Sequence, residues 1–107
     1  MNFSIQPCFI CKRQDSGQAV KRGGGLGWFC DECGGERAKK AAHMSHFNRL
    51  EQMAAEEAGN KGGAYLDSLD VTDLAKLTPK EYRLYVQTVI KAFGTEMRRL
   101  VDEEAPF

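Results

Sequence analysis

Four cysteines stand in two pairs, Cys8 and Cys11, then Cys30 and Cys33. Each pair is C-x2-C, and eighteen residues separate the pairs, a spacing typical of four-thiolate metal sites. Two sulfurs three residues apart on a tight knuckle reach one ion together. Two such pairs supply a tetrahedron of thiolates, the set that suits Zn²⁺. No cysteine is left over, so the site reads as closed and structural; a catalytic zinc keeps a position open. Disulfides would need an oxidising compartment, a thioredoxin-like role would use a single C-x-x-C, and iron has no other support in the chain. The expected cofactor is one structural Zn²⁺ held by Cys8, Cys11, Cys30 and Cys33.

The elements that must position these thiols follow from the residues between and after them. Phe9 and Ile10 sit on the first knuckle. Gln18–Arg22 and Leu26–Phe29 read as two short strands, and the run Arg22–Trp28, RGGGLGW, supplies the glycines of their turn. Cys30 and Cys33 then open a helical stretch. Knuckle, hairpin and a helix whose first turn holds the second pair resemble a treble-clef zinc finger. The composition from about Asp31 to Ala58 favours one long helix, with Phe47, Leu50, Met53 and Ala54 on its apolar face. Gly59–Gly63, GNKGG, reads as its stop and turn. Asp70 is placed to cap a short helix over Val71–Leu77. Thr78-Pro79-Lys80-Glu81 forms a capping box with proline at the first helical position. From Pro79 to about Glu104 a single helix carries the stripe Tyr82, Val86, Val89, Ile90, Phe93, Met97, Leu100 and Val101.

The fold class expected is therefore small α+β, mostly α: a treble-clef-like finger with a short β-hairpin, then a helical C-terminal part. Residues 1–58 would hold the four-cysteine finger and its long helix. Residues 59–107 would fold back on them as a helical hairpin within one compact unit, ending in an acidic Pro-Phe tail. The apolar stripe would pack on Phe47, Leu50 and Ala54, or alternatively join two copies as a homodimer. A chain of 107 residues buries a modest core, and a metal staple compensates for that.

Formal net charge is zero, but residues 1–49 carry eight Lys and Arg against four Asp and Glu, and residues 50–107 carry seven against eleven. Lys12, Arg13, Lys21, Arg22, Lys39 and Lys40 are the candidate contacts to nucleic acid or an acidic partner. Neutral overall charge and an acidic second half weigh against a phosphate backbone. His43 and His46 share a helix face but lack the His, Asn or Asp partners of a nuclease-like site. With the four cysteines committed to metal, no nucleophile, base and orienting group assemble, and the expectation is a non-enzymatic binding protein. The start MNFSIQPCFICKRQ lacks a secretory pattern, and no apolar run is long enough to span a bilayer, so a cytoplasmic setting without membrane contact is expected.

The whole chain resembles short phage and prophage proteins that pair a C-x-x-C…C-x-x-C finger with a helical C-terminus. Thr72–Tyr82, TDLAKLTPKEY, and the Pro-Phe ending carry that resemblance. It carries over no activity, but it implies a phage or mobile element in a bacterial host cell as the setting, where a host or phage protein is the expected partner and inhibition of a host nucleoprotein or defence complex, of the anti-CRISPR kind, is one option. The ending Val101–Phe107, VDEEAPF, is similar to the acidic tip of bacterial single-strand DNA-binding proteins. By that resemblance Pro106 and Phe107 would anchor in a partner's pocket while Asp102, Glu103 and Glu104 guide it, docking the protein on host DNA-maintenance enzymes. Ala105 stands where those tips carry a larger apolar residue. A plain acidic end is the alternative.

Overall fold

The computed structural model describes residues 7–13 and 17–103. After the first cysteine knuckle come two antiparallel strands, β1 (Gln18–Arg22) and β2 (Gly25–Phe29). Three helices follow: α1 (Gly35–Ala42), α2 (Phe47–Ser68) and α3 (Pro79–Glu103), with one 3₁₀ turn, Leu74–Lys76, before α3. The protein is thus mostly helical, with a two-stranded hairpin near the N-terminus and the cysteines clustered at that end.

The hairpin turns through Gly23 and Gly24, with Arg22 opposite Gly25, and Gly23 has φ 58°, a conformation glycine enters without steric cost. Phe9 N–H donates to Trp28 O at 2.8 Å, which ties the first knuckle to β2. The Phe9 and Phe47 rings lie 5.5 Å apart, and the Arg22 guanidinium sits over both, 4.5 and 5.0 Å from their centroids. Thus the hairpin is pinned to the start of α2 by aromatic and cation–π contact.

The helical stretch expected from about Asp31 to Ala58 is interrupted. Cys30 and Cys33 lie in a turn ahead of α1 rather than in its first turn, because Gly34, at φ 79°, stands between them and the helix. A second break at residues 43–46 separates α1 from α2. It lets Met44 and Phe47 both turn into the core. The expected stop at Gly59–Gly63 is overturned too: α2 runs straight through these residues, and through the 58/59 boundary, to Ser68. Tertiary packing outweighs the helix cost of the glycines. Gly62 is buried where α2 meets Val89 and Tyr85 of α3.

The true stop is a Schellman ending. Val71 N–H reaches back to Leu66 O, Asp70 N–H bonds Asp67 O, and Asp70 takes φ 56°. Asp70 therefore ends α2, and Asp73 is the residue that caps the 3₁₀ turn, accepting from Ala75 N–H at 3.0 Å. The capping box of α3 forms as expected: Thr78 Oγ1 accepts from Glu81 N–H at 3.1 Å and Glu81 Oε1 accepts from Thr78 N–H at 2.9 Å.

Helices α2 and α3 run antiparallel, joined by residues 69–78. The core lies at one end of this pair, where the finger and α1 pack on Leu50, Ala54, Met97, Leu100 and Val101. Along the expected stripe of α3, burial is confined to that end: Val86, Val89 and Phe93 are half-buried, and Tyr82 and Ile90 are exposed. Met53 of α2, expected on the buried face, is exposed as well. At the other end of the helix pair Leu74, Tyr82 and Leu84 are exposed, and Ile90 is exposed beside the first knuckle, in a groove it shares with Cys11, Lys12 and Phe93.

Candidate metal centre

Two short loops carry the thiols. In the first, Cys8 N–H donates to Arg13 O and Lys12 N–H donates to Cys8 O at 2.8 Å. Lys12 has φ 66°, and this left-handed residue closes the knuckle so that Cys8 and Cys11 point the same way. Lys12 Nζ donates to Phe9 O at 2.8 Å and holds the loop from outside. In the second, Gly34 N–H donates to Cys30 O at 3.0 Å, and Gly34 O then accepts from Ala38 N–H to start α1.

The four sulfurs converge. Cys8 Sγ is 3.7 Å from Cys33 Sγ, Cys11 Sγ is 3.6 Å from Cys30 Sγ, and all four lie within 4.8 Å of one another. Metal–sulfur bonds of about 2.3 Å in a tetrahedron give edges of about 3.8 Å, so this spacing fits one four-thiolate ion. It is far beyond the ~2.05 Å of a disulfide. All four thiols are buried. Hydrogen bonding among the sulfurs splits their acidities. Hydrogen bonds from Cys11, then Cys33, hold Cys8 far below the ordinary thiol value. Hydrogen bonding to Cys11, then Cys8, together with burial, drives Cys33 far above it, opposed by Arg98. Four thiolates would form together only around a cation, and the cluster could hold a metal ion.

A second layer of contacts comes from the far end of the chain. Arg98, on α3, directs Nη1 to Cys33 Sγ at 3.8 Å and Nη2 to Glu32 at 3.6 Å. Arg37, on α1, donates to Cys33 O at 2.7 Å and forks onto both carboxylate oxygens of Asp102 at 2.8 Å. That fork raises the Arg37 pKa and lowers that of Asp102. Lys40 Nζ donates to Asp102 O at 2.9 Å, satisfying a carbonyl of the last turn of α3. The two neighbouring arginines of α3 part ways: Arg99 pairs with Glu96 and Glu103 on the outer face, but Arg98 turns inward to the cysteines. Contacts made across 65 residues leave no local pattern in the sequence.

The candidate cations are largely occupied within the protein. Lys12 pairs with Glu51, Arg13 lies 3.8 Å from Glu32, Arg22 covers the Phe9 and Phe47 rings, and Lys40 holds α3. Lys21 and Lys39 remain exposed. Of the tail residues, Asp102 is clamped by Arg37 and Glu103 by Arg99, while Glu104, Pro106 and Phe107 lie outside the described residues. His43 is exposed and His46 half-buried, next to the start of α2, and neither joins the cysteine cluster.

Residues 44–107 match a family of unknown function, DUF6511. The chain belongs to this family. No curated protein and no solved structure matches it. The DUF6511 match begins at Met44, in the break between α1 and α2, so it spans α2 and α3 while the four cysteines precede it. Both Arg98, which reaches Cys33 of the cysteine cluster, and Asp102, which holds Arg37 beside it, are therefore DUF6511 residues. No helix among the described residues is long and apolar enough to cross a membrane.

Proposed function

We propose that the protein is a non-enzymatic, zinc-stabilised module that binds another protein. The enclosure of four thiols at tetrahedral spacing carries the reading: with Cys8, Cys11, Cys30 and Cys33 all buried, the centre offers a substrate no approach and serves as a staple. Zinc suits four thiolates without redox chemistry. The staple ties the two cysteine loops of the finger together beside one end of the helix pair and leaves the exposed apolar side chains of α3, Tyr82, Leu84 and Ile90, as the surface for a partner. A nucleic-acid role is weaker, because Lys12, Arg13 and Lys40 are paired internally. The phage setting, a bacterial cytoplasm and an inhibitory role against a host defence complex rest on the resemblance of Thr72–Tyr82 and complete the proposal.

Elemental analysis should give one zinc per chain, with chelation abolishing the hairpin and α1 signals in NMR spectra. Metal-loaded protein immobilised in bacterial lysate should retain a discrete protein that an Ile90→Glu variant loses. A folded, metal-free protein would refute the staple, and recovery of nucleic acid without protein would refute the binding role.

A further inference from the structure

Filling the cluster with a divalent ion leaves four thiolates and a net charge of −2 in a buried site, a costly arrangement unless a cation stands against it. Of the arginines beside it, Arg37 is already committed by its fork onto Asp102. Arg98 is not: its carboxylate neighbour Glu32 is 3.6 Å away, largely exposed and shared with Arg13, while its other nitrogen faces Cys33 Sγ. Only 16% of the Arg98 side chain is exposed, which strengthens its interaction with the sulfur.

Gly94 sets how closely the first knuckle approaches α3 beside this guanidinium. Side chains on a helix lean toward its N-terminus, so Arg98 lies back over the residue one turn earlier. A Cβ on Gly94 would stand 3.5 and 3.7 Å from the two Arg98 terminal nitrogens and 3.1 Å from Cys11 Cβ. The contact with Cys11 is tight and those with Arg98 are ordinary, so the missing side chain admits the knuckle and brings Cys11 and Cys33 within reach of the α3 face that carries Arg98.

We infer that Arg98 is the positioning and charge-compensating residue of the metal centre: it donates to the Cys33 thiolate, so that α3 of the DUF6511 segment sets metal affinity. This rests on the metal-centre reading above. Outer hydrogen bonds to a metal ligand typically change affinity by about 10–100-fold, and a cation hydrogen-bonded to a thiolate also stabilises its lone pairs.

The test compares wild type, Arg98→Met, Arg98→Lys and Glu32→Gln, each titrated with Zn²⁺ against a chelating dye and each loaded with Co²⁺ for its thiolate-to-metal absorption. Arg98→Met should weaken Zn²⁺ binding about 10–100-fold and move the Co²⁺ band to lower energy. Arg98→Lys, which keeps the charge, should recover part of both, and Glu32→Gln should leave both unchanged. Equal affinity and an unshifted band in Arg98→Met would overturn the inference alone. So would a Glu32→Gln variant that reproduces Arg98→Met, since the ion pair would then be the cause. Wild type that binds neither ion overturns the metal centre itself, and this inference with it.

Discussion

Gly59, Gly62 and Gly63 offer one substitution at three places on α2 with different expected outcomes. Glycine in a helix interior costs about 1 kcal/mol relative to alanine. A methyl group on Gly59 or Gly63 meets nothing within 4 Å, so Gly59→Ala and Gly63→Ala should each stabilise the protein by about 1 kcal/mol. On Gly62 the same methyl would stand 2.7 Å from Val89 Cγ2 and 3.0 Å from Tyr85 Cε1. Val89 is half-buried and branched, so the helices must separate to admit it. Overpacking of this kind costs about 1–3 kcal/mol, which cancels or exceeds the helix gain. Gly62→Ala should therefore fall about 1–3 kcal/mol below Gly59→Ala. Urea unfolding followed by circular dichroism, with metal in excess, reads the difference as a shift in midpoint. Equal stabilisation at positions 59 and 62 would refute the close approach of α2 and α3.

Two further outcomes follow from hydrogen bonds at the ends of α3. Thr78→Ala removes one half of the capping box and should cost about 1 kcal/mol in the same urea assay, whereas Glu81→Gln keeps the reciprocal bond and should cost less. Asp102→Asn tests the clamp by pH. Arg37 lowers the Asp102 pKa in the folded state, so the stabilisation is fully present above the unfolded value of about 3.9 and is lost as pH falls through the folded value. The stability gap between wild type and Asp102→Asn should hold from neutral pH to about pH 5 and close below about pH 4; a gap that persists in acid would mean the carboxylate charge is not its source.

Local signals in the sequence were legible where one short stretch decides the structure. The paired cysteines, the strand Gln18–Arg22 and the box Thr78–Glu81 each carry their determinants within a few residues. Misreadings arose where distant residues decide. Gly59–Gly63 has the composition of a turn, yet contact with Val89 and Tyr85 keeps it helical. The break at residues 43–46 has no glycine or proline to announce it and is marked instead by Met44 and Phe47 entering the core. Arg98 and Asp102 look like ordinary surface charges until α3 is laid against Cys33 and Arg37.

The clamp at Asp102 also bears on the order of assembly. Arg37 and Asp102, like Cys33 and Arg98, are 65 residues apart. Bringing them together closes a long loop, and its entropy is lost before any contact rewards it. The contact of Gly62 with Val89 closes a shorter one. The cysteine pairs, 19 and 25 residues apart, close short loops as well. The finger and the helix pair are thus each expected to form on their own, and the seam between them, drawn shut by Arg37 and Arg98 across 65 residues, would close last.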